Sequence, residues 1–376
     1  MHVKSFLAAM AIVCALPVAA QSEPTPTPTP APTTAEEPKK EGDLDETLAA
    51  LKKSIDLFGR LKVSGYLQAQ FVADERSRDE LAGSGGTRNL DQFSVRRGRI
   101  KFVYQATPTS RFVLQPDISS SGVTLKDGYV ELIEPWTGRK NALTVGQFTW
   151  PFGYEVSYSS SALELPERPR VIRTLFPNEY DRGAMLSGRA FGTRLRYQAA
   201  IVNGTGTSNS NDLNQGKDVV GRVGWSFGAV DLGASIYSGT DLVATSSAPA
   251  GVEFDKERQG VDFVWRTPLP GFRLRGEYIT GRQAPPTGTA RAGSYDVEGW
   301  YLYAIKDVGK RHQFALRADE YDGDTDADAN AVRTLGGAYS FKWDDHSRVM
   351  LAYEHPENEA ADIADDVLTV RYQFSF

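Results

Sequence analysis

The chain has 376 residues, of which 40% are hydrophobic, with a mean hydropathy of −0.38 and a formal net charge of −6. A net negative charge gives no electrostatic reason to seek nucleic acid. The length suits one large domain or two small ones.

The first residues, MHVKSFLAAMAIVCALPVAAQS, read as a signal peptide over 1–20. Lys4 supplies the basic start, Phe6 to Leu16 the apolar stretch, and Val18-Ala19-Ala20 a small-residue cleavage site. Cleavage near Gln21 removes Cys14, the sole cysteine. A lipid anchor on Cys14 is disfavoured, because Val13 is bulky and the apolar run continues past the cysteine. Residues 21–42 form a Pro/Thr-rich linker, with Pro at every second position of the TPTPTP run. Such a run favours an extended, solvated, disordered tether. Over 43–59 the period changes. Leu44, Leu48, Leu51, Ile55 and Phe58 share one helical stripe, with Asp43 placed to cap it, so a short amphipathic helix is expected. Beyond the signal no run approaches the roughly 18 apolar residues that a membrane helix needs. The protein is therefore read as exported, and any membrane span must be built of strands.

From residue 60 to 376 the pattern alternates with period two, which puts successive side chains on opposite faces of a strand. In LKVSGYLQAQF, Leu61, Val63, Leu67 and Phe71 oppose Lys62, Ser64, Gln68 and Gln70. In RLRYQAAIVNG, Leu195, Tyr197, Ala199 and Ile201 oppose Arg194, Arg196 and Gln198. About sixteen segments follow this rule, at 62–73, 92–105, 110–119, 122–134, 142–148, 183–190, 193–203, 218–227, 229–239, 258–267, 272–281, 294–305, 311–321, 331–342, 346–355 and 364–376. Their lengths suit tilted membrane strands of about ten residues.

The joins sort by length. Even-to-odd joins such as ATPT, TPLPG and KDVGK are tight, whereas odd-to-even joins are mostly long, among them 74–91, 149–182, 204–217 and 240–257. Short turns at one end and long loops at the other mark an outer-membrane barrel, and an even strand count leaves both termini in the periplasm. The expected fold is all-β: a 16-stranded antiparallel transmembrane β-barrel. The chain ends on LTVRYQFSF, with an apolar face of Leu368, Val370, Tyr372, Phe374 and Phe376. In a closed barrel this last strand pairs with the first, so no edge is left.

With the apolar parity facing lipid, the other parity faces the channel. Its cations read as Lys62, Arg97, Arg99, Lys101, Arg111 and Arg194 early in the chain, then Arg196, Arg222, Arg266, Arg273, Arg275, Arg317, Arg348 and Arg371. Its carboxylates read as Asp117, Asp127, Glu131, Asp231, Asp262, Glu277, Glu298, Asp319 and Glu354. An acidic protein thus has a basic interior, and a wall so biased favours anions. The alternative is a solvated wall in which the two signs merely balance. The longest join, 149–182, carries Arg168, Arg170, Arg173 and Arg182 beside Glu164, Glu167, Glu179 and Asp181. A connection this long is usually functional. Folded inward, it would narrow the bore and offer guanidinium groups that grip phosphate or carboxylate bidentately.

FSVRRGRIKF, VTLKDGYVEL, LTVGQFTWPFGYE, LPERPRVIRTLFPNEYDRGAM and YQAAIVNGTG, in this order, resemble the phosphate-selective porin O and P family. The likeness covers most of 60–376 and is densest from 93 to 206. It implies a homotrimer of sixteen-stranded barrels, each with the third loop folded into the pore and arginines along an anion path. By that resemblance Arg96 and Arg97 match the basic pair on an early strand, and Arg168 and Arg170 fall in the third-loop element. The terminal Phe376 looks like the tag read by barrel-assembly machinery. The phosphate-specific members look lysine-rich around the outer vestibule. Here the outer loops are acidic, as in ADERSRDE, DEYDGDTDADA and EHPENEAADIADD.

The reading is a porin of the bacterial outer membrane, in contact with lipid bilayer and lipopolysaccharide, for passive diffusion of small anions such as phosphate. Its anion path is expected to run past Arg96, Arg97, Arg99, Lys101, Arg168, Arg170, Arg173, Arg182, Arg194 and Arg196. A general pore with little charge selectivity is the first alternative, and a barrel enzyme the second. No cofactor or nucleotide loop is seen, and no histidine spacing suits a metal. Asp322-Gly-Asp-Thr-Asp-Ala-Asp begins like a calcium loop but lacks Gly at the sixth position, and Arg333 stands where the closing carboxylate belongs.

Overall fold

The computed structural model describes residues 46–376, apart from 47, 50, 53–58, 82–85, 208–210, 246–247, 250, 288–292, 362 and 364. The segments read as signal peptide and linker lie outside the described residues, as does much of 43–59; residues 46, 48–49, 51–52 and 59–60 are helical and exposed.

Sixteen strands follow: β1 Leu61–Asp74, β2 Gln92–Thr107, β3 Ser110–Ser119, β4 Gly122–Ile133, β5 Asn141–Thr149, β6 Tyr180–Ala190, β7 Leu195–Val202 and β8 Asp218–Ser226, then β9 Val230–Val243, β10 Val252–Arg266, β11 Phe272–Gln283, β12 Tyr295–Val308, β13 His312–Asp322, β14 Val332–Lys342, β15 Ser347–Asn358 and β16 Val367–Ser375. Every neighbour in sequence pairs antiparallel, and β1 pairs with β16, so the sheet closes on itself. At the seam the backbones of Gly65 and Phe376 exchange two hydrogen bonds of 3.0 Å. The final aromatic is therefore held in the ladder and does not end an open edge. The largest departure from the sequence reading is at the join expected over 240–257. There β9 and β10 run on to Val243 and back from Val252 in register, leaving a loop of only 244–251.

The barrel is inside out relative to a soluble domain. Gln68, Arg97, Arg275 and Arg371 are buried, whereas Leu67, Ile236, Leu316 and Leu335 are exposed on the opposite parity. Exposed apolar side chains on every strand are stable only against lipid. Aromatic residues, Trp136, Phe191, Phe227, Trp343 and Phe376 among them, stand exposed at the short-turn end, where a girdle at the membrane interface is expected.

One parity assignment fails. In β12, Glu298 was expected in the lumen, but Val297, Tyr301, Tyr303 and Ile305 are the buried residues. Glu298 lies on the outer parity, where its carboxylate accepts from the exposed Tyr278 hydroxyl at 2.7 Å. The lumen face of β12 is apolar because a loop packs on it.

Candidate functional site

That loop spans residues 150–179, between β5 and β6. It turns into the barrel at Gly153, whose φ of +56° favours glycine, and where a Cβ would fall 1.7 Å from Glu277 Oε1. The Gly153 N–H donates to Ser235 Oγ at 2.9 Å, and the amides of Tyr154 and Glu155 both donate to Glu277 Oε2 at 3.3 Å. The loop then buries an apolar face on the wall. Phe152, Leu165 and Val171 seat against Gly260, Gly336 and Gly299, lumen positions where any larger residue would meet them at 3.0 Å or less. A short helix, α1 (Arg170–Leu175), opens after Pro169 and packs on β12 and β13, with Val171, Ile172 and Leu175 buried. Phe176 closes this cluster against Phe152, Trp150 and Tyr237, with ring centroids 4.7, 5.5 and 6.4 Å away.

Charge fixes the loop where apolar contact stops. Glu167 accepts from Arg96 Nε and Nη2 at 2.7 and 2.9 Å, from Arg97 at 3.0 Å and from Arg371 at 3.2 Å. Two consecutive arginines share one face because the β1–β2 register shifts there: Gln68 opposes Arg97, but Ala69 opposes Val95. The bulge turns Arg96 inward as well. Burial opposes ionisation of Glu167, yet Arg97, Arg96 and Arg371 hold its carboxyl well below the usual range. Glu164 pairs with Arg275 at 2.9 Å and Arg273 at 3.2 Å. The Arg275 guanidinium lies between Tyr158 and Tyr303, 4.5 and 4.4 Å from their ring centres. Within the loop Arg168 binds Glu179 at 2.7 Å and the Glu155 and Tyr158 carbonyls at 2.5 Å. Burial works against the Arg168 charge, but Glu179 and Glu155 raise its pKa above the arginine value. Arg317, in turn, donates to the Glu167 carbonyl at 2.8 Å.

The residues expected to line the anion path fall into three groups. Arg96, Arg97 and Arg168 converge on the third loop and serve it as clasps, each bound to carboxylate. Arg99 and Lys101 lie on the wall facing the loop and pair with Asp117 at 2.8 Å and Asp127 at 2.7 Å. They border a cavity of about 560 Å³ that also meets Tyr66, Tyr129, Tyr180 and Ser160. Arg170 and Arg173, on α1, border another cavity of about 350 Å³ together with Glu354 and Asp365. Among the described residues neither has a carboxylate within 4.0 Å. Arg182 stands near the long-loop end and donates to Gly206 O at 3.0 Å. Arg194 and Arg196 are far from the loop, at the short-turn mouth, where Arg196 approaches Asp231 at 3.9 Å. The sequence reading missed Lys256 and Arg258, which it placed in or at the edge of an outer loop. Both are buried lumen residues of β10. The available signal was an alternation of charge sign in β10, Asp255-Lys256-Glu257-Arg258, since both faces are polar there.

A closed barrel with its longest loop folded inside is the architecture of a constricted pore. The family model described as phosphate-selective porin O and P matches residues 66–242. Over this stretch the chain is similar to the phosphate-selective porin O and P family. Solved porins share the fold at low identity. An anion-selective porin from Comamonas acidovorans superposes with a TM-score of 0.60 at 12% identity, over 84% of this chain and 99% of that one. OmpT of Vibrio cholerae in its trimer form gives 0.60 at 8%, over 84% and 99%. Salmonella typhi OmpF in complex with daunomycin gives 0.59 at 12%, over 84% and 97%. No curated protein matches the chain. The molecule is a porin of the bacterial outer membrane.

Proposed function

We propose that this porin passes small anions, phosphate among them, by diffusion through the space between its third loop and the barrel wall. The observation that carries this reading is a surplus of unpaired cations. Arg170, Arg173, Arg189, Arg258 and Arg348 border lumen cavities, and among the described residues none has a carboxylate within 4.0 Å. The lumen carboxylates without a cation within that distance include Glu277 and Asp181. Both are occupied by hydrogen bonds, Glu277 from Tyr301 and loop amides, Asp181 from Trp150 and the Gly204 amide. A low-dielectric wall with positive groups to spare lowers the barrier for anions. The carboxylate pairing of Arg97, Arg99 and Arg168 favours the rival, a pore without charge preference. By likeness to the trimeric OmpT form, we propose a trimer here too, to be checked by the mass of the detergent-solubilised protein.

The test is single-channel recording in potassium chloride with phosphate titrated in. Phosphate that enters the same path lowers the chloride current and saturates. A chloride current indifferent to phosphate would contradict its passage, and a channel preferring potassium would contradict the anion reading altogether.

A further inference from the structure

On the long-loop side of the third loop a cavity of about 500 Å³ opens between residues 174–177, the segment after β7, and strands β9 to β11. Arg258 of β10 borders it and is only 4% exposed. Its guanidinium lies 5.2 Å from the Phe176 ring centre and 4.9 Å from that of Tyr237. Nη2 donates to Gln283 Oε1 at 2.7 Å, but Nε makes no hydrogen bond. Among the described residues no carboxylate lies within 4.0 Å of it. The stretches 208–210, 246–247, 250 and 288–292 contain no acidic residue. Neighbouring Lys256 is equally buried yet fully engaged, by Asp241 at 2.7 Å, Asp218 at 3.2 Å and the Gly204 carbonyl at 2.8 Å. Two more buried polar atoms on the same cavity, Thr205 Oγ1 and Asn214 Oδ1, are without hydrogen-bond partners.

A guanidinium taken out of water needs an anion or further acceptors to offset its lost hydration. Here the protein supplies one neutral acceptor, Gln283 Oε1, and no anion within 4.0 Å among the described residues, for a guanidinium that borders the cavity. The facing wall is of another kind: Leu175, Pro177, Val243, Ala284 and Pro285 are apolar. We propose that this cavity is a transient binding site for a monocarboxylate with an apolar body, such as an aromatic acid. The Arg258 guanidinium takes the carboxylate, and the apolar wall takes the body, before the solute enters the constriction. Phosphate fits less well. Its remaining oxygens would be dehydrated against apolar side chains, and Asp218 and Asp241 nearby repel a dianion. Binding at such a site must be weak and reversible for transport to continue. The inference rests on the anion-passing reading and adds a solute class to it.

The experiment is chloride-current recording from the full-length protein in planar bilayers, with benzoate or phosphate added to either side. Benzoate is expected to block saturably and more tightly than phosphate. Arg258→Gln is expected to raise the half-blocking benzoate concentration relative to phosphate by about tenfold, the loss of one charge-assisted hydrogen bond. Ala284→Phe keeps the charge but fills the apolar side, and is expected to remove the benzoate preference as well. If Arg258→Gln does not assemble, Ala284→Phe decides the matter alone. Benzoate block that is unchanged in the variants, or matched by phosphate in the parent, overturns the site. A channel that remains chloride-preferring while showing no benzoate block overturns this site only, whereas a cation preference overturns the reading beneath it.

Discussion

Glu167→Gln removes the one negative charge that three arginines share. Arg97 and Arg371 keep side-chain exposures of 4% and 1%, so they cannot simply turn to water. Breaking a buried pair costs about 3–5 kcal/mol. Glu167 is 24% exposed and Arg96 39%, which screens part of the interaction and reduces the expected loss to about 2–3 kcal/mol. That loss falls on the seating of the third loop, since the barrel ladder does not depend on it. The substitution also adds one net positive charge to the pore. At about 8 Å in water this lowers an anion's energy by about 0.5 kcal/mol, or roughly twofold in permeability, and by more where the dielectric is lower. Zero-current potentials in a salt gradient should therefore shift toward chloride by at least about twofold in permeability ratio, with noisier open-channel current. An unchanged potential and unchanged noise would refute the clasp. The same residue sets a pH dependence. Its folded pKa is depressed, so its contribution is present above the unfolded value of about 4.3 and lost as pH falls through the folded one. The open-channel noise of the parent is expected to be constant from pH 7 to about 5 and to rise only in stronger acid.

Other outcomes follow from the same geometry. Leu316→Arg puts a cation on the lipid face of β13 and is expected to cost about 2–4 kcal/mol near the midplane, read as a lower midpoint in urea unfolding from vesicles; no shift would contradict the outward assignment of that parity. Gly153→Ala asks a side chain to adopt a positive φ within 1.7 Å of Glu277 Oε1, so the loop must leave its seat. Altered single-channel conductance with an intact barrel is the expected result, and parent-like conductance would show that the turn is not what positions the loop. Deleting Phe376 removes the two seam hydrogen bonds to Gly65. It should lower the heat-modifiable, folded fraction recovered in the outer membrane, and an unchanged fraction would argue against the residue's proposed part in assembly.

The barrel was legible because each strand satisfies a local rule. Leu61, Val63 and Leu67 had to lie on one face, whatever their partners. The third loop stood out by length alone. Its pairings were not legible, because Glu164 meets Arg275 across 111 positions and Glu167 meets Arg371 across 204. No periodicity encodes such contacts. The Glu298 assignment failed for a related reason: once a loop fills the lumen, Tyr301 and Tyr303 belong inside, and the polar–apolar contrast between the faces of β12 disappears. Arg258 was missed by a boundary. The start of β10 was placed at 258 instead of Val252 because Asp255 to Gln259 are polar on both faces, leaving only the alternating charge sign to carry Lys256 and Arg258 inward. Of the arginines singled out in the third-loop motif, Arg168 binds within the loop whereas Arg170 and Arg173 border a cavity, a split that a count of charges by parity does not reveal.

The central claim is that unpaired lumen cations make this porin prefer anions. The most direct measurement is the reversal potential of the purified full-length protein in a planar bilayer under a tenfold potassium chloride gradient. The account predicts a potential displaced toward the chloride equilibrium value. A potential near zero, or one displaced toward potassium, would contradict it.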